Sequence, residues 1–233
     1  MIPGWYGKVP NLGDFASRRL PPAFISAWDG WLQEVLHGSR TALGEAWLDT
    51  YLTMPIWRFV LLPGTVGDSG WAGIVMPSVD RVGRAFPLTI AVQLTSCADA
   101  ACAIFHAGDW FARLEDAALS VLDVTRAPDD LDQLLTETPF ASTPTDVLDG
   151  AVGRILPLPA IERFEGMTQA TSVRDWAAQA GWKGLWWTRG RVDGSPLLLL
   201  SSGLPTIEEF TGFLQARLSP RTTPEAADIT TGS

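Results

Sequence analysis

The stretch IVMPSVDRVGRAFPLTIAVQL, residues 74–94, decides how the rest of the chain is read. Two apolar, strand-like runs, 70–76 and 87–94, bracket a compact polar insert, Ser78-Val79-Asp80-Arg81-Val82-Gly83-Arg84. Pro77 and Pro87 lack a backbone donor and so mark the ends of the paired segments. Gly83 supplies the positive φ that a tight reversal needs. The expectation is a rigid loop presenting Ser78, Asp80, Arg81 and Arg84 at the edge of a sheet. Two readings compete for it. In one, an Asp80–Arg84 ion pair merely holds a turn together, as surface pairs often do. In the other, the loop is a polar surface for recognising a partner.

Outward from this loop the chain alternates hairpins and amphipathic helices. Residues 5–8 read as a short strand, followed by a turn at Pro10, Asn11 and Gly13 with Lys8 and Asp14 as its charged members. Pro21-Pro22 opens a helix where proline is tolerated, with Phe24, Trp28, Trp31, Leu32 and Val35 on one face and an end at Gly38. A short helix is expected at 41–50. Strands at 57–62 and 71–76 flank a glycine-rich reversal, and 87–94 is a third strand. A single helix is expected over 99–122 and another over 129–135. Beyond them come helical stretches at 160–164 and 173–180, strands at 183–188 and 197–201, and a last helix, 207–218, capped by Thr206.

Hairpins mixed with amphipathic helices predict a sheet covered by helices. The last strands, GLWW and LLLL, are apolar throughout, which requires cover on both faces. The predicted fold is therefore α/β, a three-layer α/β/α sandwich on a mixed, largely antiparallel sheet. One domain is expected over 1–218, with a surface connection at 136–159 where Thr, Pro, Gly and Asp accumulate. The tail at 219–233 reads as disordered.

Composition removes several functions. With 46% hydrophobic and 18% charged residues among 233, the chain is a folded globular protein. Its net charge of −9 speaks against a nucleic-acid groove. No apolar run reaches the roughly 18 residues of a membrane span, and the N-terminus lacks a secretory h-region. Cys97 and Cys102 make no disulfide framework and fit a cytoplasmic setting. Neither a phosphate-binding glycine loop nor a dinucleotide fingerprint is present. Gly67-Asp68-Ser69-Gly70 has the letters of a serine-protease loop but falls at an expected hairpin turn. Cys102 and His106 have helical i, i+4 spacing, but the pair is a weak zinc signature. No catalytic residue, metal site or cofactor is assigned. Of the eleven tryptophans, six fall before residue 72 and four between 176 and 187, with Trp110 alone between them, and most are expected in the core.

Four blocks in order carry a family resemblance: GWYGKVPNLGDFASRRLP at 4–21, WLDTYLTMPIWRFVL at 47–61, GIVMPSVDRVGRAFPLTI at 73–90 and GLWWTRG at 184–190. Together they resemble TagF, the accessory protein of bacterial type VI secretion systems, in its N-terminal-type domain. The resemblance implies a cytoplasmic, non-enzymatic regulator that restrains assembly or firing of the machine after translation by binding its forkhead-associated scaffold protein. Some relatives are fused to a phosphatase domain; no stretch outside the four blocks is long enough for one, so phosphatase activity is not expected of this chain. From the residues themselves, the partner-binding candidates are Lys8, Asp14, Ser78, Asp80, Arg81 and Arg84. The rival expectation is a small-ligand sensor or enzyme with a tryptophan-rich pocket near the 78–84 loop.

Overall fold

Apolar runs become the central strands of a seven-stranded sheet because helices cover both sheet faces, while the edge strand Ala16–Arg18 stays largely exposed. The computed structural model describes residues 1–123, 125, 127–142, 173, 177–178, 181–189 and 197–216. In chain order, β1 is Gly4–Gly7, β2 Ala16–Arg18, α1 Pro22–Leu43, α2 Trp47–Leu52, β3 Trp57–Val66 and β4 Ser69–Met76. They are followed by β5 Leu88–Leu94, α3 Cys97–Phe105, α4 Gly108–Ser120, α5 Pro128–Thr136, β6 Gly184–Thr188, β7 Leu197–Ser201 and α6 Ile207–Leu214. The sheet order is β2-β1-β5-β4-β3-β6-β7, and every neighbouring pair is antiparallel. The sandwich predicted from the sequence is the observed fold, with a sheet more uniform than the mixed one expected.

Period-two alternation sorts the strand residues into two cores. On one side Val60, Leu62, Ile74, Ile90, Leu185 and Trp187 meet α3, α4 and α5. On the other, Phe59, Leu61, Trp71, Val75 and Trp186 meet α1, α2 and α6. The five residues expected on one face of α1 are all buried there. Rings pack through this second layer: Trp28 lies tilted 4.7 Å from Trp31 and 5.0 Å from Phe59, and Trp57 stacks on Phe213 at 3.9 Å. Indole N–H groups that enter the core find acceptors, as Trp28 does on Thr89 Oγ1 at 2.8 Å and Trp31 on the Pro205 carbonyl at 2.7 Å.

Several boundaries differ from the sequence reading, each for a physical reason. Helix α1 does not end at Gly38 but runs on to Leu43 and stops at Gly44. Gly38 is a contact point instead: a Cβ there would lie 2.6 Å from the Ile207 side chain, so the missing side chain lets α6 approach. Thr41 accordingly belongs to α1, and the expected 41–50 helix shrinks to α2. The predicted single helix over 99–122 is two, broken at His106-Ala107, with a Ser96–Asp99 capping box starting the first. The reversal after β3 is a two-residue turn, Gly67-Asp68, so both strands are longer than expected. β2 was not anticipated at all. Thr206 does cap α6, accepting from Glu209 N at 3.2 Å while Glu209 accepts from Thr206 N at 2.9 Å. The expected helix at 160–164, most of 173–180, most of the 136–159 connection and the 219–233 tail lie outside the described residues.

One buried ion pair links the sheet to the first helical layer. Arg58 Nε on β3 donates to Glu115 Oε1 on α4 at 2.6 Å, both side chains are buried, and Arg189 adds a second, exposed partner at 3.3 Å. Removing Glu115 would strand the Arg58 guanidinium in the core. Glu115→Ala is therefore expected to cost about 3–5 kcal/mol, seen as a clear drop in the urea midpoint with an unchanged m-value.

Candidate functional site

The 77–87 loop joins the two strands that pair next to each other at the middle of the sheet, β4 and β5, so both of its ends are fixed. Within it, Val79 and Ala85 form an isolated antiparallel bridge, Phe86 N donates to Ser78 O at 3.0 Å and Asp80 N to Arg84 O at 3.1 Å. Gly83 N closes the tip onto Asp80 O at 2.9 Å, with the positive φ of 82° that glycine tolerates and the sequence predicted.

The loop is braced by a single carboxylate. Asp80 Oδ1 accepts from Val82 N at 3.1 Å and Arg84 N at 2.8 Å. Its Oδ2 accepts from Arg84 Nε at 2.6 Å and pairs with Lys8 Nζ at 3.1 Å. All four acceptor positions of the carboxylate are thereby used. Burial alone would raise the pKa of Asp80, but these donors outweigh it and hold the carboxyl well below the usual carboxylate range.

The same contacts sew the loop to the β1–β2 segment. Arg81 N donates to Leu12 O at 2.9 Å, Arg84 Nη2 to Gly13 O at 2.7 Å and Ser78 Oγ to Lys8 O at 2.7 Å. From the other side the buried Tyr51 hydroxyl donates to Ser78 O at 2.8 Å and accepts from Ser78 N at 2.9 Å. An aromatic trio finishes the seam: Phe15 lies edge-on to Phe86 at 4.7 Å and stacks on Tyr6 at 5.9 Å, with Lys8 Nζ 5.0 Å from its ring centroid.

The six sequence candidates thus divide. Lys8, Ser78, Asp80, Arg81 and Arg84 come together with the 8–13 backbone. Ser78 and Asp80, however, are not presented: both are buried, as is Lys8. The expectation that the loop displays Ser78 and Asp80 is corrected, because their side chains are consumed in the brace. Arg81, Arg84 and Asp14 are exposed, and among the described residues Asp14 bonds only its neighbour, accepting from Phe15 N at 2.8 Å. Sequence reasoning missed Tyr51 and Phe15. Both stand inside the quoted blocks at 47–61 and 4–21, but one sequence gives no sign that either ring reaches the loop.

A family model for the TagF N-terminal domain, described as type VI secretion system-associated, matches residues 4–138. The chain belongs to this family. The match spans the brace and the loop, so the type VI secretion association attaches to the part of the fold just described. Among solved structures, the chain is similar to PA0076 from Pseudomonas aeruginosa PAO1, known from a crystal structure at 2.05 Å resolution. The two are 34% identical with a TM-score of 0.76, over 95% of this chain and 97% of that one. No curated protein sequence matches the chain.

Ten of the eleven tryptophans lie among the described residues, and all ten are buried in packed layers. A cavity lined by Val9, Ser120, Val121 and Leu131 has a volume of about 10 Å³, room for about one water. No helix among the described residues is long and apolar enough to cross a membrane. Among the same residues no group of three or more His, Cys, Asp or Glu side chains is placed to hold a metal ion. Cys102, one half of the weak zinc signature, is buried with its Sγ 3.7 Å from the Ala141 carbonyl.

Because Asp80 is depressed in the folded chain, its contribution to stability is complete above its unfolded pKa near 4 and is lost as pH falls toward the folded value. Asp80→Asn keeps the shape and removes the charge. Its urea midpoint is expected to lie below that of the parent chain at pH 7, with the gap narrowing as both are taken from about pH 5 to pH 3.

Proposed function

We propose that the chain is a non-enzymatic cytoplasmic accessory protein that restrains assembly or firing of a type VI secretion machine after translation, by binding the forkhead-associated scaffold protein of that machine. Membership of the TagF N-terminal domain family supports the setting. The observation that carries the interaction reading is the braced loop, where two exposed arginines stand on a backbone fixed from three sides. Rigid loops on a packed scaffold are where recognition tends to reside, because little conformational entropy is lost on binding. In this reading the bound chain occupies the scaffold and keeps other components from being recruited. A tryptophan-lined ligand pocket draws no support from the packing, since those rings fill the space between the sheet and its helices.

The test is co-purification of the full chain with the forkhead-associated scaffold from the same genome, at low and moderate salt. A stable complex is expected, weakened when Arg81 and Arg84 are both changed to Ala. Absence of a complex with both proteins folded sinks the reading.

A further inference from the structure

The two arginines of the loop are not equivalent. Arg84 is committed: its Nε holds Asp80 and its Nη2 holds the Gly13 carbonyl. The Arg81 guanidinium has no hydrogen bond or ion pair with any described residue, and only its backbone N–H is used, on Leu12 O. It lies along the 12–15 turn, where a Cβ added to Gly13 would come within 3.6 Å of Arg81 Nη2. Beside it the loop tip exposes Val82, 67% accessible, and the same seam exposes Phe15, 44% accessible. Val82 follows Arg81 at the loop tip and Phe15 is the second residue beyond Gly13, so two exposed apolar side chains stand on the same seam as one guanidinium that pairs with no described residue.

We propose that Arg81 is the contact group of this surface, with Val82 and Phe15 as its apolar flank, and that it receives a carboxylate standing beside an apolar side chain of the partner; this rests on the interaction reading above. Charge matching selects the carboxylate. Lys8, Arg81 and Arg84 bring three positive charges to the site against the carboxylates of Asp80 and the exposed Asp14, so the net charge is one positive and matches one partner carboxylate. Phosphate dianions are typically met by clusters of arginines. A planar guanidinium takes a carboxylate through two parallel hydrogen bonds, and a neighbouring apolar contact excludes water and strengthens them. Arg84, by contrast, is a positioning residue: it fixes the backbone that carries Arg81.

The experiment is titration of the full chain against the purified scaffold, by calorimetry, for the parent and for Arg81→Glu, Arg81→Lys and Val82→Ser. Arg81→Glu is expected to weaken binding at least tenfold while its melting temperature stays within a few degrees of the parent's, because the side chain braces nothing. Arg81→Lys is expected to fall between the two, and Val82→Ser to weaken binding severalfold. A scan of scaffold acidic residues to Lys is expected to yield one change that restores binding to Arg81→Glu. Phosphatase treatment of the scaffold is expected to leave the affinity unchanged; loss of binding after that treatment overturns the carboxylate assignment. Binding of Arg81→Glu within twofold of the parent overturns the role of Arg81 while leaving the interaction reading intact. A parent chain that does not bind overturns both.

Discussion

A carboxylate taken out of water must be given back the hydrogen bonds it leaves behind, and Asp80 receives all of them from its own loop and from Lys8. Two of its donors are backbone N–H groups of its own loop, which fixes the loop's shape. The third is the Arg84 side chain, which reaches on to Gly13. The fourth is Lys8, 72 residues away in sequence, which fixes where the β1–β2 segment lies against the loop. None of these donors is easily spared. Lys8 is buried and needs the countercharge, and the Val82 and Arg84 amides lie at a turn where no strand partner is offered. The result is a loop whose geometry is set by electrostatics at its base, leaving its tip free of structural duty.

That brace is only as firm as the strands it hangs from, and those are fixed by burial on two sides. β4 and β5 pair over seven residues, from Gly70–Leu94 to Met76–Leu88, and neither face of either strand meets bulk water along most of its length. A register slip of one residue would exchange the two faces and send Ile74 and Ile90 into the layer that Trp71 and Val75 occupy. The helices on each side differ in bulk, with stacked indoles on one and alanine-rich α3 and α4 on the other, so the two faces are not interchangeable. The apolar layers and the polar loop are thus coupled. Register places Pro77 and Pro87 at the same end of the sheet, and only then can Ser78 reach Lys8 and Tyr51.

Much of this fold was legible because its causes are local. Period-two runs, paired prolines and helical spacing of large rings identify strands and helices within a few residues, and uniformly apolar final strands announce cover on both faces. What escaped were features whose cause lies far off in sequence. Gly38 resembles a helix stop, yet its glycine serves the approach of Ile207, 169 positions later. β2 is three residues of unremarkable composition and becomes a strand only because Trp5, Tyr6 and Gly7 offer it an edge. The break between α3 and α4 carries no proline, and its one signal, Gly108, is outweighed in the sequence by the helix-forming alanines around it.

The site shows the same divide more sharply. Which residues gather was readable, since a polar insert between two strands must sit with whatever lies beside those strand ends. Which of them face solvent was not, because burial depends on Lys8 and Tyr51 arriving from elsewhere. An Asp and an Arg four residues apart look alike whether they form a weak surface pair or the exposed half of a buried one. The distinction has consequences for where specificity can reside. A charge already surrounded by four donors has little left to give a partner, and withdrawing it would dismantle the loop. A partner that met this loop would therefore have to contact side chains that the brace does not use. In this loop they are few: one guanidinium and one valine at the tip, with one phenylalanine on the adjoining segment.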